Sequence, residues 1–444
     1  MWDVTTPSGR WRGRVVGDVV VHRGIRYARA DRFGAPRRIE MSPGPVDATA
    51  PHPMAPQLPP RLEAVMGSPL PLAQDEDCLA LTVTAPEGAE PGSLPVMVWL
   101  HGGAYVSGGG EWNLYDASIL VRQTGIVVVS INYRLGALGY LRAPGISAGN
   151  HGLLDQITAL EWVQDNIAEF GGDPRRVTVA GQSAGAQSIA ALLGIERTRP
   201  LFSRAILQSA PLGLGFHSPE KAERVGEVFL GHLDADVRRA AVADILVAQG
   251  AAARALAGPA GLNSAPPFLP VSGIDPLPDA DLWRRNVAAR ARDVQVVIGC
   301  TDDEMKAFYG NHPVFSAVRA VPLAGPAVVS AAERLVQRRV FDDASFALAD
   351  LLADAGADVF CYRVRKLHPD NPFGACHCIE LPLLFGDPDA WRNSPMLRGI
   401  PADRIEPLGR RTRDYWGEFV RDGRIDSAPW HRHASGVRDV FALP

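Results

Sequence analysis

A serine lies at an abrupt change of periodicity in the stretch VTVAGQSAGAQSIAALL, residues 177–193. Before Ser183 the apolar residues alternate as in a strand, and after it they recur at helical spacing. Gly181 and Gly185 flank Ser183 at a distance of two residues, where a β-carbon would obstruct a tight strand-to-helix turn. This pattern is typical of a nucleophile elbow with a catalytic serine. A serine that only caps the helix would have the same spacing.

A glycine cluster, HGGAYVSGGG at 101–110, follows directly after the apolar run LPVMVWL at 94–100. Glycines at the end of a buried strand allow backbone N–H groups to point into a site without obstruction by side chains. Stabilising the oxyanion of a tetrahedral intermediate requires such N–H groups. We therefore favour an oxyanion-binding loop over a flexible surface loop.

An acid and a base are needed to activate the serine, and in an α/β-hydrolase they follow it in the order acid, then histidine. The strand-like run VQVVIG ends in CTDDEM, which offers Asp302, Asp303 and Glu304. Five histidines follow: His312, His368, His377, His431 and His433. His368 and His377 come soon after the strand-like run VFCYRVRK. The residues alone leave open which of the three carboxylates and which of these two histidines would act.

The elements that position these residues are predicted to form an α/β fold. Strand-like runs lie at 18–28, 78–86, 94–103, 125–136, 177–182, 204–210, 294–300 and 359–366. An early hairpin at 14–30, followed by alternating strands and helices, predicts a mixed, mostly parallel central sheet with helices on both faces. Active sites of such sheets lie at the carboxyl ends of the strands, where Ser183 is expected. We expect one domain over residues 1–444, with insertions at roughly 50–75, 211–290 and 305–357 and a reduced lid.

Composition restricts the function classes. The chain of 444 residues has a formal net charge of −4, five cysteines and no long run of lysine or arginine. This charge gives no footprint for nucleic acid or for an anionic membrane surface. No apolar run is long enough to span a bilayer, and an odd number of dispersed cysteines does not suggest a disulfide framework. We expect a cytoplasmic protein that acts on a small molecule. Its oligomeric state is not indicated.

Three segments carry a resemblance to a known family. They are GNHGLLDQITALEWVQDNIAEFGGDPRRVTVAGQSAG at 149–185, EDCLALTV at 76–83 and NYRLGALGYL at 132–141. Together they resemble the type B carboxylesterase and cholinesterase family of α/β-hydrolases, in particular its para-nitrobenzyl-esterase-like bacterial members. GIRYA at 24–28 is similar to an early signature of that family, and weaker similarity continues to about residue 430.

The resemblance implies a role for each candidate. GCTDDEM is similar to the family segment that places the acid on Glu304, and GACHCIELPLLFG at 374–386 to the one that places the base on His377. Ser183 would be the nucleophile, and the oxyanion donors would be the amides of Gly103, Ala104 and Ala184. No metal or cofactor is implied. Matching positions also imply two architectural ion pairs, Arg32 with Glu76 and Arg134 with Asp155.

The sequence departs from the family pattern around the pocket. Gln182 stands where the family usually has Glu, and Met305 stands where a glycine commonly follows the acid. We expect a pocket lined by Tyr105, Gln182, Phe216, Met305 and Phe308. Residues 51–75 contain no aromatic residue, so neutral esters are expected to be preferred over choline esters.

These observations predict a serine carboxylesterase that hydrolyses neutral carboxylic esters through an acyl-enzyme. Two alternatives stay open. A biosynthetic acyltransferase or cyclase would use the same three residues with an acceptor other than water. A non-catalytic cholinesterase-like binding domain would be expected to have lost one of the three.

Overall fold

The computed structural model of the chain describes residues 1–39, 44–257, 265–310 and 312–443. Its strands are β1 (Trp2–Thr6), β2 (Gly9–Val16), β3 (Val19–Arg26), β4 (Ala28–Arg29), β5 (Arg37–Arg38), β6 (Pro45–Asp47), β7 (Ala80–Pro86), β8 (Leu94–Leu100), β9 (Val127–Ile131), β10 (Gly172–Gln182), β11 (Arg204–Gln208), β12 (Gln295–Thr301), β13 (Asp358–Val364) and β14 (Phe441–Leu443).

The α-helices are α1 (Glu63–Met66), α2 (Ser118–Thr124), α3 (Gly136–Tyr140), α4 (His151–Asn166), α5 (Ala184–Leu193), α6 (Pro219–Leu230), α7 (Val242–Leu256), α8 (Ala280–Arg290), α9 (Lys306–Tyr309), α10 (Pro313–Arg319), α11 (Gly325–Gln337), α12 (Asp343–Asp354), α13 (Leu381–Phe385), α14 (Pro388–Trp391) and α15 (Ala402–Asp422). A π-helical segment, Arg338–Asp342, joins α11 to α12.

One sheet runs through the molecule in the order β1-β2-β3-β7-β9-β8-β10-β11-β12-β13-β14, with β6 beside β2. The pairs from β1 to β9 along this order are antiparallel, and every pair from β9 to β14 is parallel. The predicted mixed, largely parallel sheet is confirmed. All the strands predicted from residue 78 onward are present, whereas β1 and β14 were not predicted.

Both faces of the sheet are covered. In β8, Val96 and Val98 belong to one apolar core, and Met97 and Trp99 belong to another. Successive side chains of a strand point to opposite faces, so the two cores lie on opposite sides of the sheet. Helices α4 and α5 contribute to the first core, and α2 and α15 contribute to the second. A strand buried on both faces needs a continuous apolar run, which LPVMVWL provides.

The predicted insertions contain the remaining helices. The segment 50–75 has one short helix, α1, while 211–290 contains α6 to α8 and 305–357 contains α9 to α12. The predicted hairpin at 14–30 corresponds to β2 and β3, which pair at Val16 and Val19, although β2 begins at Gly9. Residues 258–264 and Asn311 of the insertions lie outside the described residues. No helix in the described part of the chain is both long and apolar enough to cross a membrane.

Candidate active site

Ser183 lies in a strained turn between β10, which ends at Gln182, and α5, which begins at Ala184. Its backbone has φ 56° and ψ −121°. Residues other than glycine rarely adopt this conformation, and those that do are often at functional sites. A β-carbon at Gly185 would lie 2.0 Å from the carbonyl oxygen of Leu100, and one at Gly181 would lie 2.8 Å from the same atom. Both glycines are therefore needed for the close approach of the turn to β8.

Glu304 and His377 meet at the same edge of the sheet. Glu304 follows β12, and His377 lies in the loop between β13 and α13. The distance from His377 Nδ1 to Glu304 Oε2 is 2.5 Å, and both residues are fully buried. The other oxygen of Glu304 accepts hydrogen bonds from Ser209 Oγ at 2.6 Å and from the Thr301 amide at 2.7 Å.

The charge of this buried carboxyl group is compensated by its neighbours. Burial by itself would raise the pKa of Glu304, but the pKa lies below its ordinary value because of the charge of His377 and the hydrogen bonds from His377, Ser209 and Thr301. The carboxylate form of Glu304 is therefore favoured, and a carboxylate can hold the Nδ1 proton of the imidazole.

The other candidate acids and the other candidate histidine have different partners. Asp302 forms an ion pair with Arg365 at 3.1 Å, and Asp303 forms one with Lys306 at 3.0 Å. The distance from His368 Nδ1 to Asp370 Oδ2 is 3.7 Å. None of these three is in the Glu304–His377 contact.

Hydrogen bonds join the acid turn to the histidine loop. The Asp303 amide donates to the carbonyl of Ala375 at 2.9 Å, and the Ala375 amide donates to the carboxylate of Asp303 at 3.0 Å. Asp303 therefore contributes to the site by fixing the position of the loop that carries His377.

Gln182 contacts the other nitrogen of the imidazole. The distance from Gln182 Nε2 to His377 Nε2 is 3.0 Å. With Nδ1–H facing Glu304, Nε2 is an acceptor, and the amide group of Gln182 donates to it. Gln182, Ser183 and His377 all line the same cavity.

The glycine loop after β8 has unusual backbone geometry. Gly103 has φ 115°, and Ala104 and Tyr105 have φ values of 58° and 60°. A β-carbon at Gly103 would lie 1.9 Å from the carbonyl oxygen of Ser107. The amides of Gly103, Ala104 and Ala184 donate no hydrogen bond to another described residue. These three N–H groups are thus available to a group bound in the cavity.

His101, at the start of this loop, is a structural residue that the sequence interpretation missed. Its Nδ1 donates to the carbonyl of Gly102 at 2.8 Å, and its ring stacks on Tyr133 with centroids 4.4 Å apart. Burial lowers the pKa of His101 to about 4. The neutral ring therefore supports the glycine loop and leaves no charge beside it.

Four of the five predicted pocket residues line the cavity: Tyr105, Gln182, Met305 and Phe308. Phe216 does not line it, so this prediction needs correction. Gly215 has φ 65° and turns the chain, and the ring of Phe216 packs against Trp283 with centroids 6.1 Å apart. Leu214 lines the cavity in its place.

The Pro-rich segment, residues 51–72, contributes only some of its apolar side chains to the cavity. Leu62 and Met66 line it. Met54 is outside it and accepts a hydrogen bond through its sulfur from Trp112 Nε1 at 3.2 Å.

The sequence analysis also missed three residues that lie near the catalytic candidates: Ser209, Phe341 and Glu380. Ser209 directly follows β11 at the catalytic edge, and this position was the signal that could have found it. The ring of Phe341, in the π-helical segment, lies 5.4 Å from that of His377. Glu380 is buried, and burial together with the charge of Glu304 raises its pKa to about 7. No periodic pattern indicated Phe341 or Glu380.

The two predicted ion pairs are confirmed. Arg134 and Asp155 form a buried pair with Nη2 to Oδ1 at 2.7 Å and Nε to Oδ2 at 2.9 Å. Arg32 Nε donates to Glu76 Oε2 at 2.8 Å in a less buried environment.

Comparison with known proteins gives the class of the protein. A model of the carboxylesterase family matches residues 2–317. A solved structure of a thermophilic para-nitrobenzyl esterase is similar with a TM-score of 0.85 and 31% identity, covering 99% of this chain and 95% of that one. The chain therefore belongs to the carboxylesterase family, and it has the α/β-hydrolase fold.

Two relatives define its activity more closely. A probable N-octanoylanthranilate hydrolase from Rhodococcus erythropolis is 61% identical over 99% of this chain and 97% of the relative. Para-nitrobenzyl esterase from Bacillus subtilis (strain 168) is 32% identical over 99% of this chain and 94% of the relative. The protein is a carboxylic ester hydrolase that acts on small molecules.

Proposed function

We propose that Ser183, His377 and Glu304 are the nucleophile, the general base and the acid of this hydrolase. The observation that carries the proposal is the 2.5 Å contact between His377 Nδ1 and Glu304 Oε2, beside a cavity whose wall contains both His377 and Ser183. The strained backbone of Ser183 supports the same assignment, because a nucleophile elbow exposes its hydroxyl group at the sheet edge.

The chemistry follows from these positions. Ser183 Oγ attacks the acyl carbonyl carbon while His377 Nε2 takes the hydroxyl proton, and Glu304 stabilises the resulting imidazolium. His377 then gives this proton to the leaving group. A water molecule, activated by the same nitrogen, hydrolyses the acyl-serine and regenerates the enzyme. Gln182 must release His377 Nε2 before the serine proton can reach it, since its amide group donates to that nitrogen at 3.0 Å.

The oxyanion of the tetrahedral intermediate would be bound by the amides of Gly103, Ala104 and Ala184. Their freedom from other acceptors among the described residues supports this role. Donors fixed by the backbone need no reorganisation during the reaction, and loss of one such donor typically costs about 3–4 kcal/mol of transition-state stabilisation.

The acyl chain would occupy the apolar part of the cavity. Its wall includes Met66, Trp112, Met305, Val340 and Phe341. The Rhodococcus relative is named for a substrate with an octanoyl group on the nitrogen of anthranilate. We propose the same substrate for this chain, with cleavage of the amide bond by the steps above and protonation of the departing nitrogen by His377.

Cationic esters are expected to be poor substrates. None of the described residues that line the cavity is Asp or Glu, and Arg61 lies in its wall. Tyr105 and Phe308 offer aromatic faces that a cation could use, but a nearby guanidinium opposes this. The prediction that choline esters are poorer substrates than neutral esters is therefore retained in the proposal.

The direct test is product analysis with N-octanoylanthranilate and 4-nitrophenyl octanoate. We expect equimolar octanoate and aromatic product from the wild type, none from Ser183→Ala, and fluorophosphonate labelling that peptide mapping assigns to Ser183. The proposal fails if Ser183→Ala retains turnover. Acylated acceptor in excess of octanoate, when alcohols and amines are added, would instead identify an acyltransferase.

The cellular location and the domain organisation of the protein are proposals as well. The five cysteines are buried free thiols, which agrees with the reducing environment of the cytoplasm. We also retain the proposal of one catalytic domain over the whole chain. Cell fractionation and limited proteolysis would test these two points.

A further inference from the structure

A second chamber adjoins the cavity at Ser183. The inner chamber, of about 120 Å³, contains Ser183 and His377 in its wall, and the outer chamber measures about 390 Å³. Arg61, Leu62 and Phe308 line both chambers. A substrate whose scissile carbonyl lies at Ser183 can therefore extend past these side chains into the outer chamber.

The outer chamber contains basic residues without acidic ones. Arg61, Arg254 and His312 line it, and none of its described lining residues is Asp or Glu. Arg254 forms no ion pair with a described residue, and its guanidinium lies over Gly250, where a β-carbon would be 3.5 Å from Nη1. The Nδ1 atom of His312 is buried and has no hydrogen-bond partner among the described residues.

Acidic residues near the outer chamber have other partners. Glu63, two residues after Arg61, accepts a hydrogen bond from Ser68 Oγ. Asp303 forms an ion pair with Lys306 at 3.0 Å, and Glu333 forms one with Arg319 at 3.2 Å. Clefts lined by charge of one sign concentrate ligands of the opposite sign. The outer chamber is thus electrostatically suited to an anion.

We propose that Arg61 and Arg254 bind a carboxylate on the leaving-group side of the substrate and thereby determine specificity. The inference rests on the proposed function, because it requires the acyl group to lie in the inner chamber at Ser183. The planar guanidinium group presents paired N–H donors that match the geometry of a carboxylate. The apolar inner wall suits the acyl chain, which leaves the charged part of the substrate to the outer chamber. The anthranilate part of the substrate proposed above carries a carboxylate of this kind.

A matched pair of chromogenic substrates tests the proposal: 4-nitrophenyl octanoate and 3-carboxy-4-nitrophenyl octanoate. The quantity measured is the ratio of kcat/KM for the anionic ester to kcat/KM for the neutral ester. We expect Arg61→Gln combined with Arg254→Gln to lower this ratio by about tenfold, as the loss of one or two charge-assisted hydrogen bonds would. The double substitution to lysine keeps the positive charges but not the paired donors, so its ratio should lie between those of the wild type and the double glutamine variant.

The matched control is Arg175→Gln. This side chain is 88% exposed and lies eight residues before Ser183 along β10, which corresponds to roughly 26 Å in a strand. The substitution removes one positive charge far from the chambers, so the ratio of the two kcat/KM values should stay at its wild-type value.

The outcomes separate the two proposals. A double glutamine variant with the wild-type ratio would overturn the carboxylate site and leave the serine mechanism intact. Wild-type turnover of both esters by Ser183→Ala would instead overturn the proposed function. If the double variant fails to fold, Arg254→Gln alone is scored by the same ratio, since Arg254 is exposed on α7 and its replacement should be tolerated.

Discussion

The inner and outer chambers are built by different parts of the chain. In the reacting centre, Gln182 is the last residue of β10, and Glu304 and His377 lie on loops that follow strands. All three are at most 2% exposed. Arg61 and Arg254, in contrast, lie on a Pro-rich segment and on α7, and both are exposed. The sheet fixes the reacting groups, whereas surface segments form the wall that selects the substrate. Substitutions in the surface segments can therefore change which substrate is selected without moving the reacting groups.

The largest effect should come from the inner chamber. We expect Ser183→Ala and His377→Ala each to lower kcat for 4-nitrophenyl octanoate by about 10⁴–10⁶, with no further loss when the two are combined, because the groups act as one unit. Stopped-time assays with phosphonate labelling would measure this.

His368→Ala is the control, since His368 lies outside the Glu304–His377 contact. It should retain wild-type turnover. An inactive His368→Ala together with an active His377→Ala would show that the base is assigned to the wrong histidine, and the comparison of the chambers would lose its basis.

Loss of an arginine from the buried Arg134–Asp155 pair is expected to lower the free energy of unfolding more than loss of one from the less buried Arg32–Glu76 pair. Arg134→Met leaves Asp155 buried without its partner, so the free energy of unfolding should fall by about 3–5 kcal/mol. Arg32→Met should cost less, because water can reach Glu76, whose side chain is 31% exposed. Urea unfolding followed by circular dichroism would compare the two, and equal losses would contradict the distinction.

Glu380, three residues after His377, is expected to make the stability of the protein depend on pH. Burial and the charge of Glu304 raise its pKa to about 7 from an ordinary value of 4.5. Between these pH values the folded state keeps a proton that the unfolded state loses, so the free energy of unfolding decreases as pH rises through this window. The decrease assigned to Glu380 is up to about 3 kcal/mol.

Replacement by glutamine should remove this dependence. Glu380→Gln is expected to gain stability relative to the wild type at pH 8 but not at pH 4.5, as measured by urea unfolding at both values. Glu87→Gln, on an exposed turn, serves as the control and should follow the wild type. A Glu380→Gln variant with the same difference from the wild type at both values would refute the assignment.

The smallest effect concerns Gln182. A carboxylate in Gln182→Glu would lie about 3 Å from the imidazole and stabilise the imidazolium, so the acid limb of kcat/KM should move to higher pH by about one unit. Gln187→Glu adds the same charge to the cavity wall without replacing the group that contacts His377, and its shift should be smaller. Identical profiles for the two variants would mean that the contact has no special role.

Most of the inner chamber could be predicted because its signals are local. A change of period at Ser183 and glycines at fixed offsets marked the elbow, and an apolar run followed by glycines marked the loop at 101–110. The choice among Asp302, Asp303 and Glu304 could not be made from the residues without a family resemblance. It depends on how the loop after β13 returns to the end of β12, and this contact joins residues 73 positions apart.

No local sequence pattern indicated the outer chamber or the rest of the inner wall. Phe216 was expected in the pocket, but its ring packs against Trp283 after a turn at Gly215, where φ is positive. Arg61 and Arg254 come together from segments far apart in the chain, and neither belongs to a motif. Phe341 approaches His377 from a π-helical segment, and no local sequence pattern indicated this segment.

The sequence by itself determined the fold class, the nucleophile elbow and the absence of Trp, Tyr and Phe between positions 51 and 75, since backbone strain and apolar periodicity are properties of short segments. The choice of the carboxylate that meets His377 needed the family resemblance or the tertiary structure. Only the tertiary structure decided that Gln182 contacts the second nitrogen of His377 and that basic side chains share an outer chamber. These are contacts between distant segments. They depend on strand order and loop path, which no short stretch of residues specifies.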